Sequence, residues 1–322
     1  MVLGAVGLLL TSGCDRQPTS PSDVASVPFR FAVAPVDVQQ IRSIERIVYR
    51  PNRVYPYLQI HHGISGGVVQ APADATVTAV TTTGSSTRID FLASSGLRYY
   101  LAELASSEVG AGTTVVAGQP VGRAGQQFES FFPVVGFGVI NPARPQPFIT
   151  PARYPDEMRY GDSPIRYFNE PLKGALMAKV QPSGLGEGLL SFDIPGTLQG
   201  FWFLATVPIS ESMAEANREA RLWFYYNDLN PVERLITYYS PELTLTGDRV
   251  PNEEPVASQV TPASGVVSFH FSERVGEFPT FENRVFVLLV EMLSATSLRA
   301  EAFDTTLVPS PAFTAGARTY VR

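Results

Sequence analysis

The sequence has very little of the residues that build disulfides, metal sites and basic surfaces. It holds one cysteine and three histidines, and only Lys173 and Lys179 among its 24 basic residues are lysines. A single cysteine excludes an intrachain disulfide and a cysteine-rich zinc site, so we expect core packing alone to stabilise the fold. The net charge of -6, with basic residues dispersed along the chain, argues against nucleic acid as a partner.

Long apolar runs are also absent, and the run at the start of the sequence is too short to span a bilayer. Residues 2–10 are apolar and are followed by Thr11, Ser12, Gly13 and Cys14, whereas a membrane-spanning helix needs about 20 residues. The length suits a signal-peptide core that ends in small residues.

A cysteine after such a segment resembles the bacterial lipobox. The resemblance implies that residues 1–14 are a lipoprotein signal peptide, that Cys14 is lipidated, and that residues 15–49 are a tether and lead-in. The membrane would then be a partner through the lipid anchor. We expect the protein in the cell envelope, on the periplasmic or extracellular side of a membrane. An ordinary secretory signal with a chance cysteine is the alternative.

Most of the chain has the pattern of short strands, which predicts an all-β fold. Residues 76–80, 88–92 and 266–271 alternate and are bounded by Gly, Ser and Pro. The best predicted helix covers residues 210–220. Gly110 and Gly118 are predicted to adopt positive φ in tight turns.

Two segments carry a family resemblance. Residues 71–77 read APADATV and residues 109–122 read VGAGTTVVAGQPVG. Together they resemble the hairpin pattern of lysostaphin-like (LytM-type) zinc endopeptidases, and in related form that of biotinyl and lipoyl domains. The latter need a lysine at a hairpin tip, and residues 15–172 contain none. The resemblance therefore implies a LytM-like barrel-sandwich hybrid domain over residues 50–142.

The same resemblance places the zinc and catalytic residues in three motifs. In the first, H-x-x-x-D, His61 is kept and Ser65 replaces the aspartate. Glu103 replaces the histidine of the second, an Ala-His-Leu step, and Val134 and Gly136 replace both histidines of the third, H-x-H. We therefore predict these five as vestigial positions, with no catalytic residue, no metal, no cofactor and peptidase activity lost.

An unconventional zinc hydrolase is an alternative hypothesis. It requires His61 to converge with at least two other candidate ligands, namely His62, Asp90, Glu103 and Glu129. Neighbouring strand residues point to opposite faces, so we do not expect His61 and His62 to bind one ion together.

The second half of the chain carries no motif that indicates a catalytic or ligand-binding site. Residues 143–159 are proline-rich and are predicted to be a linker. Residues 160–322 are predicted to form a second antiparallel β domain, either a sandwich or a calycin-like barrel. This half resembles a C-terminal β domain found beside degenerate peptidase-like domains. Trp202 and Trp223 lie in aromatic runs and are predicted to be core residues.

Two candidate functions result. The resemblance implies a non-catalytic envelope lipoprotein, a pseudoenzyme whose peptidase-like domain binds or regulates a peptidoglycan fragment or an envelope protein. The alternative is a lipoprotein that binds a small ligand or glycan through its C-terminal β domain. An open groove around His61, Glu103 and Gly136 would favour the first, and solvent-facing aromatic residues around a pocket in the second domain would favour the alternative.

Overall fold

A computed structural model describes residues 29–45, 48–50, 53–55, 57–126, 133–181, 193–226, 234–239, 248–249, 251, 255–275, 282–305 and 311–322. The predicted signal peptide and Cys14 lie outside the described residues. Within the described ranges, no helix has both the length and the apolar character that crossing a membrane requires.

The first half of the described chain forms one large sheet and a separate hairpin. Its strands are β1 (Ile41–Glu45), β2 (Val48–Arg50), β3 (Arg53–Tyr55), β4 (Leu58–His62), β5 (Val68–Gln70), β6 (Ala75–Thr83), β7 (Ser86–Ala93), β8 (Arg98–Ser107), β9 (Thr114–Val115), β10 (Pro120–Gln126), β11 (Pro133–Ile140), β12 (Gly161–Asp162) and β13 (Val180–Gln181). The sheet order is β13-β1-β4-β11-β10-β8-β7-β6-β9, with β12 on β11, β5 on β10, and β11 also paired with β8. Within the described ranges, β2 and β3 form a two-stranded sheet of their own.

The second half forms an antiparallel sheet. Its strands are β14 (Gly200–Leu204), β15 (Arg221–Tyr226), β16 (Arg234–Thr237), β17 (Asp248–Arg249), β18 (Val266–Val275), β19 (Glu282–Ser294), β20 (Ser297–Asp304) and β21 (Arg318–Val321). The order is β17-β16-β15-β14-β21-β20-β19-β18. The described α-helices, α1 (Asp156–Arg159) and α2 (Leu172–Met177), are short. The predicted all-β class is confirmed.

The helix predicted over residues 210–220 is wrong. This segment forms two short 3₁₀ turns, Ile209–Glu211 and Glu215–Ala220. The buried guanidinium of Arg221 donates from Nε to the main-chain carbonyl of Ser212 at 3.3 Å. Ala214, between the two turns, is extended, with φ of -61° and ψ of 140°, so the backbone does not continue as one helix.

The turn glycines follow the prediction at one of two positions. Gly118 has φ of 83°, as predicted, but the prediction for Gly110 is wrong because the positive φ, 84°, belongs to Gly112. The Thr113 amide donates to the Gly110 carbonyl at 3.2 Å. Gly112 is therefore the third residue of the turn, the position at which a type II turn needs positive φ.

Strands β14 and β15 are buried on both faces. Phe201, Phe203 and Trp223 belong to the core cluster that includes the first sheet, whereas Trp202 and Phe224 belong to a second cluster inside the second half. Both tryptophans are fully buried, so the predicted core role of Trp202 and Trp223 is confirmed. The alternating side chains of one strand thus serve two cores.

The proline-rich segment packs against the second sheet. Phe148 and Tyr154 stack at 3.9 Å between ring centroids, and both rings contact Phe201. Further along the chain, β12 pairs with β11 and β13 pairs with β1. The first sheet therefore takes strands from beyond residue 142, and the domain limits of 50–142 and 160–322 remain a prediction.

Candidate functional site

Three neighbouring strands bring four of the five predicted site positions into one region. Val134 on β11 lies opposite His61 on β4. Gly136 lies opposite Ala102 on β8, the residue before Glu103. Ser65 is different, because it lies in an exposed turn after β4. The sheet register thus gathers His61, Glu103, Val134 and Gly136 and leaves Ser65 aside.

The outer side of these strands carries a small aromatic cluster, which we call the tyrosine face. It is formed by Tyr57, Tyr100, Ala102 and Ile140, with Tyr160 packed against it. The rings of Tyr57 and Tyr100 meet edge to face at 6.0 Å. Leu58 and Ile60 point to the opposite side, into the main core. The tyrosine face is therefore separated from the main core by the sheet itself.

Tyr57 occupies the space above Gly136. A Cβ atom at position 136 would lie 2.7 Å from two atoms of the Tyr57 ring and 3.1 Å from the Ala102 Cβ. A histidine at this position cannot be accommodated unless Tyr57 moves. Sequence reasoning missed Tyr57, although its period-two spacing with Gln59 and His61 placed all three on one side of the strand.

A β-bulge re-aims Glu103 in strand β8. Thr87 pairs with Leu104 and Ile89 pairs with Leu101, so β8 contains one more residue than β7 between these pairs. Glu103 has φ of 58°, the one positive φ at a non-glycine residue within the described ranges. Such a conformation costs about 1–3 kcal/mol and is held by its surroundings. Bulges of this kind commonly redirect a side chain.

Two hydroxyls hold the Glu103 carboxylate. The Tyr57 hydroxyl donates to Oε1 at 2.6 Å, and the Ser86 hydroxyl donates to Oε2 at 3.4 Å. A hydrogen bond to a charged group contributes about 1.5–3 kcal/mol when it is partly protected from water. The short bond from Tyr57 therefore fixes both the ring above Gly136 and the orientation of the carboxylate.

Arg88 and its acidic partners lie beside the aromatic cluster. The Arg88 guanidinium lies 3.8 Å from the centroid of the Tyr100 ring. It forms ion pairs with Asp90 at 2.6 Å and with Glu157 of α1 at 3.4 Å. Asp90 is thus engaged by Arg88, and α1 reaches the edge of the tyrosine face.

The two adjacent histidines have different environments. His61 Nε2 lies 3.1 Å from Glu45 Oε1, in a geometry that is not that of a hydrogen bond. His62 is 1% exposed, and its Nδ1 accepts the amide of Ile64 at 3.4 Å. Burial lowers the pKa of His62, and the neighbouring His61 lowers it further. The two imidazoles make separate contacts.

The residues present do not fit a zinc site of the kind that the motifs describe. Val134 and Gly136 offer no ligand atom, and Tyr57 fills the space above Gly136. Within the described ranges, no group of three or more His, Cys, Asp or Glu side chains is arranged to hold a metal ion. Glu129, a candidate in the unconventional hypothesis, lies outside the described residues.

A cavity in the second half of the chain has an empty volume of about 240 Å³, part of it open to solvent. Among its lining residues are Phe224, Tyr225, Phe269 and Arg234. The three aromatic side chains are 1–3% exposed. They are core residues whose edges reach the cavity, and they do not form a solvent-facing platform.

Comparisons with known proteins give structural likeness only. No protein-family model matches the chain, and no curated protein matches it significantly. Similar solved structures include Csd3 from Helicobacter pylori (19% identity, 44% of this chain, 33% of that chain, TM-score 0.31). They also include a zinc containing peptidase from Vibrio cholerae (20% identity, 34% of this chain, 36% of that chain, TM-score 0.28). A third is the catalytic domain of the antimicrobial peptidase lysostaphin from Staphylococcus simulans (18% identity, 31% of this chain, 76% of that chain, TM-score 0.26).

The likeness covers only part of each molecule. The alignment spans about a third of the length of Csd3 and of the Vibrio cholerae peptidase. With TM-scores of 0.31 or less, these matches carry no argument about this chain. The function of the protein is therefore inferred from the residues and geometry of the tyrosine face.

Proposed function

We propose that the protein is a non-catalytic, lipid-anchored component of the cell envelope whose peptidase-like domain binds or regulates a peptidoglycan fragment or an envelope protein, with the edge of the tyrosine face as the contact region. The observation that carries the proposal is the contact between Tyr57 and Gly136. The position that the sequence motif gives to a histidine is covered by an aromatic ring, and that ring is anchored by Glu103.

The chemistry supports binding rather than zinc hydrolysis. A catalytic zinc needs three protein ligands and an open position for water. Of the five motif positions, only His61 keeps the residue that the motif requires. Its Nε2 lies 3.1 Å from Glu45 Oε1. The rings of Tyr57 and Tyr100 are 7% and 0% exposed, so contact with a partner would be made through the partly exposed Glu103 and Ser86 at the edge of the tyrosine face.

The anchor and the location in the envelope are the part of the proposal that comes from sequence alone. They depend on the apolar run before Cys14 and on the small residues that precede it. A lipid on Cys14 would keep the tyrosine face close to a membrane and therefore close to the envelope layers beside it.

The second candidate is a small-ligand or glycan site in the C-terminal half, which the cavity near Phe224 and Phe269 favours. Ligand pockets usually measure about 300–1,000 Å³, whereas the enclosed part of this cavity measures about 10 Å³, the room of a single water molecule. Its aromatic side chains are buried, as are those of the tyrosine face, so the size of the cavity decides between the two candidates. We therefore place this candidate second.

Sedimentation with purified cell-wall sacculi tests the proposal. The full chain carrying Cys14→Ser, to prevent lipidation, is mixed with sacculi in the presence of zinc, and both pelleting and release of soluble fragments are measured. We expect pelleting without release. Ser86→Trp, at the edge of the tyrosine face, should weaken pelleting, whereas Val266→Trp, an exposed position on β18, should not.

Three outcomes contradict or redirect the proposal. Release of soluble fragments would show an active hydrolase. Equal pelleting of the two tryptophan variants would place the binding surface elsewhere. A chain that fails to pellet would require the envelope-protein form of the proposal, to be tested by cross-linking from a residue introduced at position 86.

A further inference from the structure

Strand β18 lies at one end of the second sheet and pairs on one side only. It pairs with β19 along its whole length, from Val266 to Val275, with no shift in register. Within the described ranges, residues 266–271 form main-chain hydrogen bonds with no strand other than β19. Every second residue of an antiparallel strand directs its amide and carbonyl away from its partner. The free side of β18 therefore presents unpaired main-chain donors and acceptors.

The other ends of the two large sheets are formed by short strands. In the described part of the chain, β9, β13 and β17 occupy those ends, and each has two residues. Strand β18 has ten. Very short edge strands are one device by which natural sheets avoid pairing with another chain. Among the described ends, β18 is the one without this protection.

The sequence of β18 also lacks the residues that usually protect a long edge. Charged side chains (especially lysine), prolines and β-bulges disfavour pairing at an edge. Residues 266–272 read VVSFHFS and contain no Lys, Arg, Asp, Glu or Pro. Val266 is 52% exposed. A long, regular and uncharged edge is suited to receive an extended strand.

A second copy of β18 fits this edge. Two antiparallel copies related by a two-fold axis at His270 place Phe269 of one copy opposite Phe271 of the other. Both phenylalanines belong to the second core cluster, so the core sides of the two sheets become continuous, and aromatic cross-strand pairs are stabilising. His270 lies opposite itself on the outer side, because it pairs with Val287, which belongs to a cluster separate from that core.

Other registers fit less well. An axis at Phe271 would place Glu273 opposite Phe269, a core residue. An axis at Phe269 would pair residues 266–272 of the strand, whereas the axis at His270 pairs residues 266–274. An axis between two residues would place the core side of one sheet beside the outer side of the other, because successive side chains point to opposite faces. The axis at His270 therefore gives the longest pairing with matched faces.

We propose that β18 pairs with β18 of a second copy of this chain, antiparallel about a two-fold axis at His270, and so joins two eight-stranded sheets into one. Such a contact uses the same surface on both copies and closes as a dimer. This proposal goes beyond the proposed function and does not depend on it, because the tyrosine face lies on the first sheet.

Charge substitutions at the axis test the proposal. Sedimentation velocity of the full chain carrying Cys14→Ser should show a dimer that accumulates as the protein concentration rises. His270→Lys and His270→Glu each place like charges directly opposite one another and should weaken the dimer about tenfold or more. An equimolar mixture of the two variants should restore it, because Lys then lies opposite Glu. Thr81→Lys and Thr81→Glu, at an exposed position of β6, should leave the dimer unchanged.

A single cysteine at the axis gives a second test. Cys14 is the one cysteine of the sequence, so His270→Cys combined with Cys14→Ser leaves one thiol per chain. Directly opposite residues of antiparallel strands have Cα atoms about 4.5–5.5 Å apart, a separation that a disulfide can bridge. Mild oxidation should link this variant into a covalent dimer, whereas Thr81→Cys in the same background should stay unlinked.

The proposal is overturned if the chain stays monomeric at every concentration and oxidation does not link His270→Cys. It is also overturned by a dimer that neither His270→Lys nor His270→Glu weakens, because the interface would then lie elsewhere. If the charge variants fail to fold, the cross-linking of His270→Cys against Thr81→Cys decides the matter, and equal linking of the two would contradict the proposal.

Dimerisation and the binding of sacculi can fail separately. His270→Lys should still pellet with sacculi, because its tyrosine face is intact, and Ser86→Trp should still dimerise. Val266→Trp changes a side chain at one end of the paired region and leaves the main-chain groups of the edge unchanged, so it should dimerise as well.

Discussion

His62 is a buried imidazole whose pKa is lowered by burial and by the neighbouring His61. In the unfolded chain its pKa is about 6.5, so the unfolded state takes up a proton first as the pH falls. His62 therefore contributes stability above pH about 6.5 that is lost as the pH falls toward the folded-state pKa, by about 1.4 kcal/mol per pH unit at most.

His62→Asn tests this pH dependence, because the asparagine oxygen can still accept the amide of Ile64. Urea unfolding between pH 8 and pH 5 should show a shallower loss of stability for the variant than for the parent chain. Parallel curves would mean that His62 does not contribute to the acid sensitivity.

The contact between Gly136 and Tyr57 predicts a measurable coupling between the two residues. Gly136→Ala places a methyl group 2.7 Å from the ring, and this overpacking should destabilise the protein by about 1–3 kcal/mol. In a Tyr57→Ala background the same substitution should cost less. A double-mutant cycle by urea unfolding measures the difference, and additive effects would contradict the close packing.

The candidate site could be predicted in part from single residues. The motif resemblance located His61, Glu103, Val134 and Gly136, and the register of β4, β8 and β11 brings them together. The position of the Tyr57 ring could not be predicted, because it depends on that register and on the bulge at Glu103 rather than on any local pattern.

At the scale of elements, the hairpin turn before β9 gives a matched pair of substitutions. Gly112→Ala forces alanine into φ of 84° and should cost about 1–2 kcal/mol. Gly110→Ala lies in the same turn, has open space around its Cβ and has no positive φ, so it should be nearly neutral. Chemical denaturation of both variants checks this, and equal losses would contradict the turn assignment.

The elements were predictable where local pattern and tertiary structure agree. Residues 76–80, 88–92 and 266–271 lie within β6, β7 and β18. Their alternating side chains, bounded by Gly, Ser and Pro, were sufficient to predict these strands. The break at Ala214 within residues 210–220 could not be predicted locally, since the contact to the Ser212 carbonyl comes from Arg221, beyond the end of the segment.

At the scale of the whole molecule, one core cluster joins the two halves, which predicts coupled unfolding. Phe91 of β7 and Trp223 of β15 belong to the same cluster. Phe91→Ala should cost about 3–5 kcal/mol. Because both tryptophans lie in the second half, their fluorescence should report this loss as a transition at lower denaturant concentration.

The neighbouring residue supplies the control. Leu92 is 41% exposed, and Leu92→Ala should leave the fluorescence transition almost unchanged. If Phe91→Ala also leaves it unchanged, the two halves unfold independently.

The association of the two halves was the least predictable feature. The prolines of residues 143–159 indicated a linker, but Phe148 and Tyr154 within it pack on Phe201. The proline content of such a segment predicts an irregular backbone. Its position in the molecule depends instead on the packing of two aromatic rings against the second sheet.

The burial of β14 on both faces has a consequence for how this chain tolerates change. Along a strand with one solvated face, a substitution scan alternates between permissive and sensitive positions. Phe201, Trp202 and Phe203 are each at most 1% exposed, so such a scan should find three consecutive sensitive positions. The period-two signature would vanish there, and this strand should vary least as related sequences diverge.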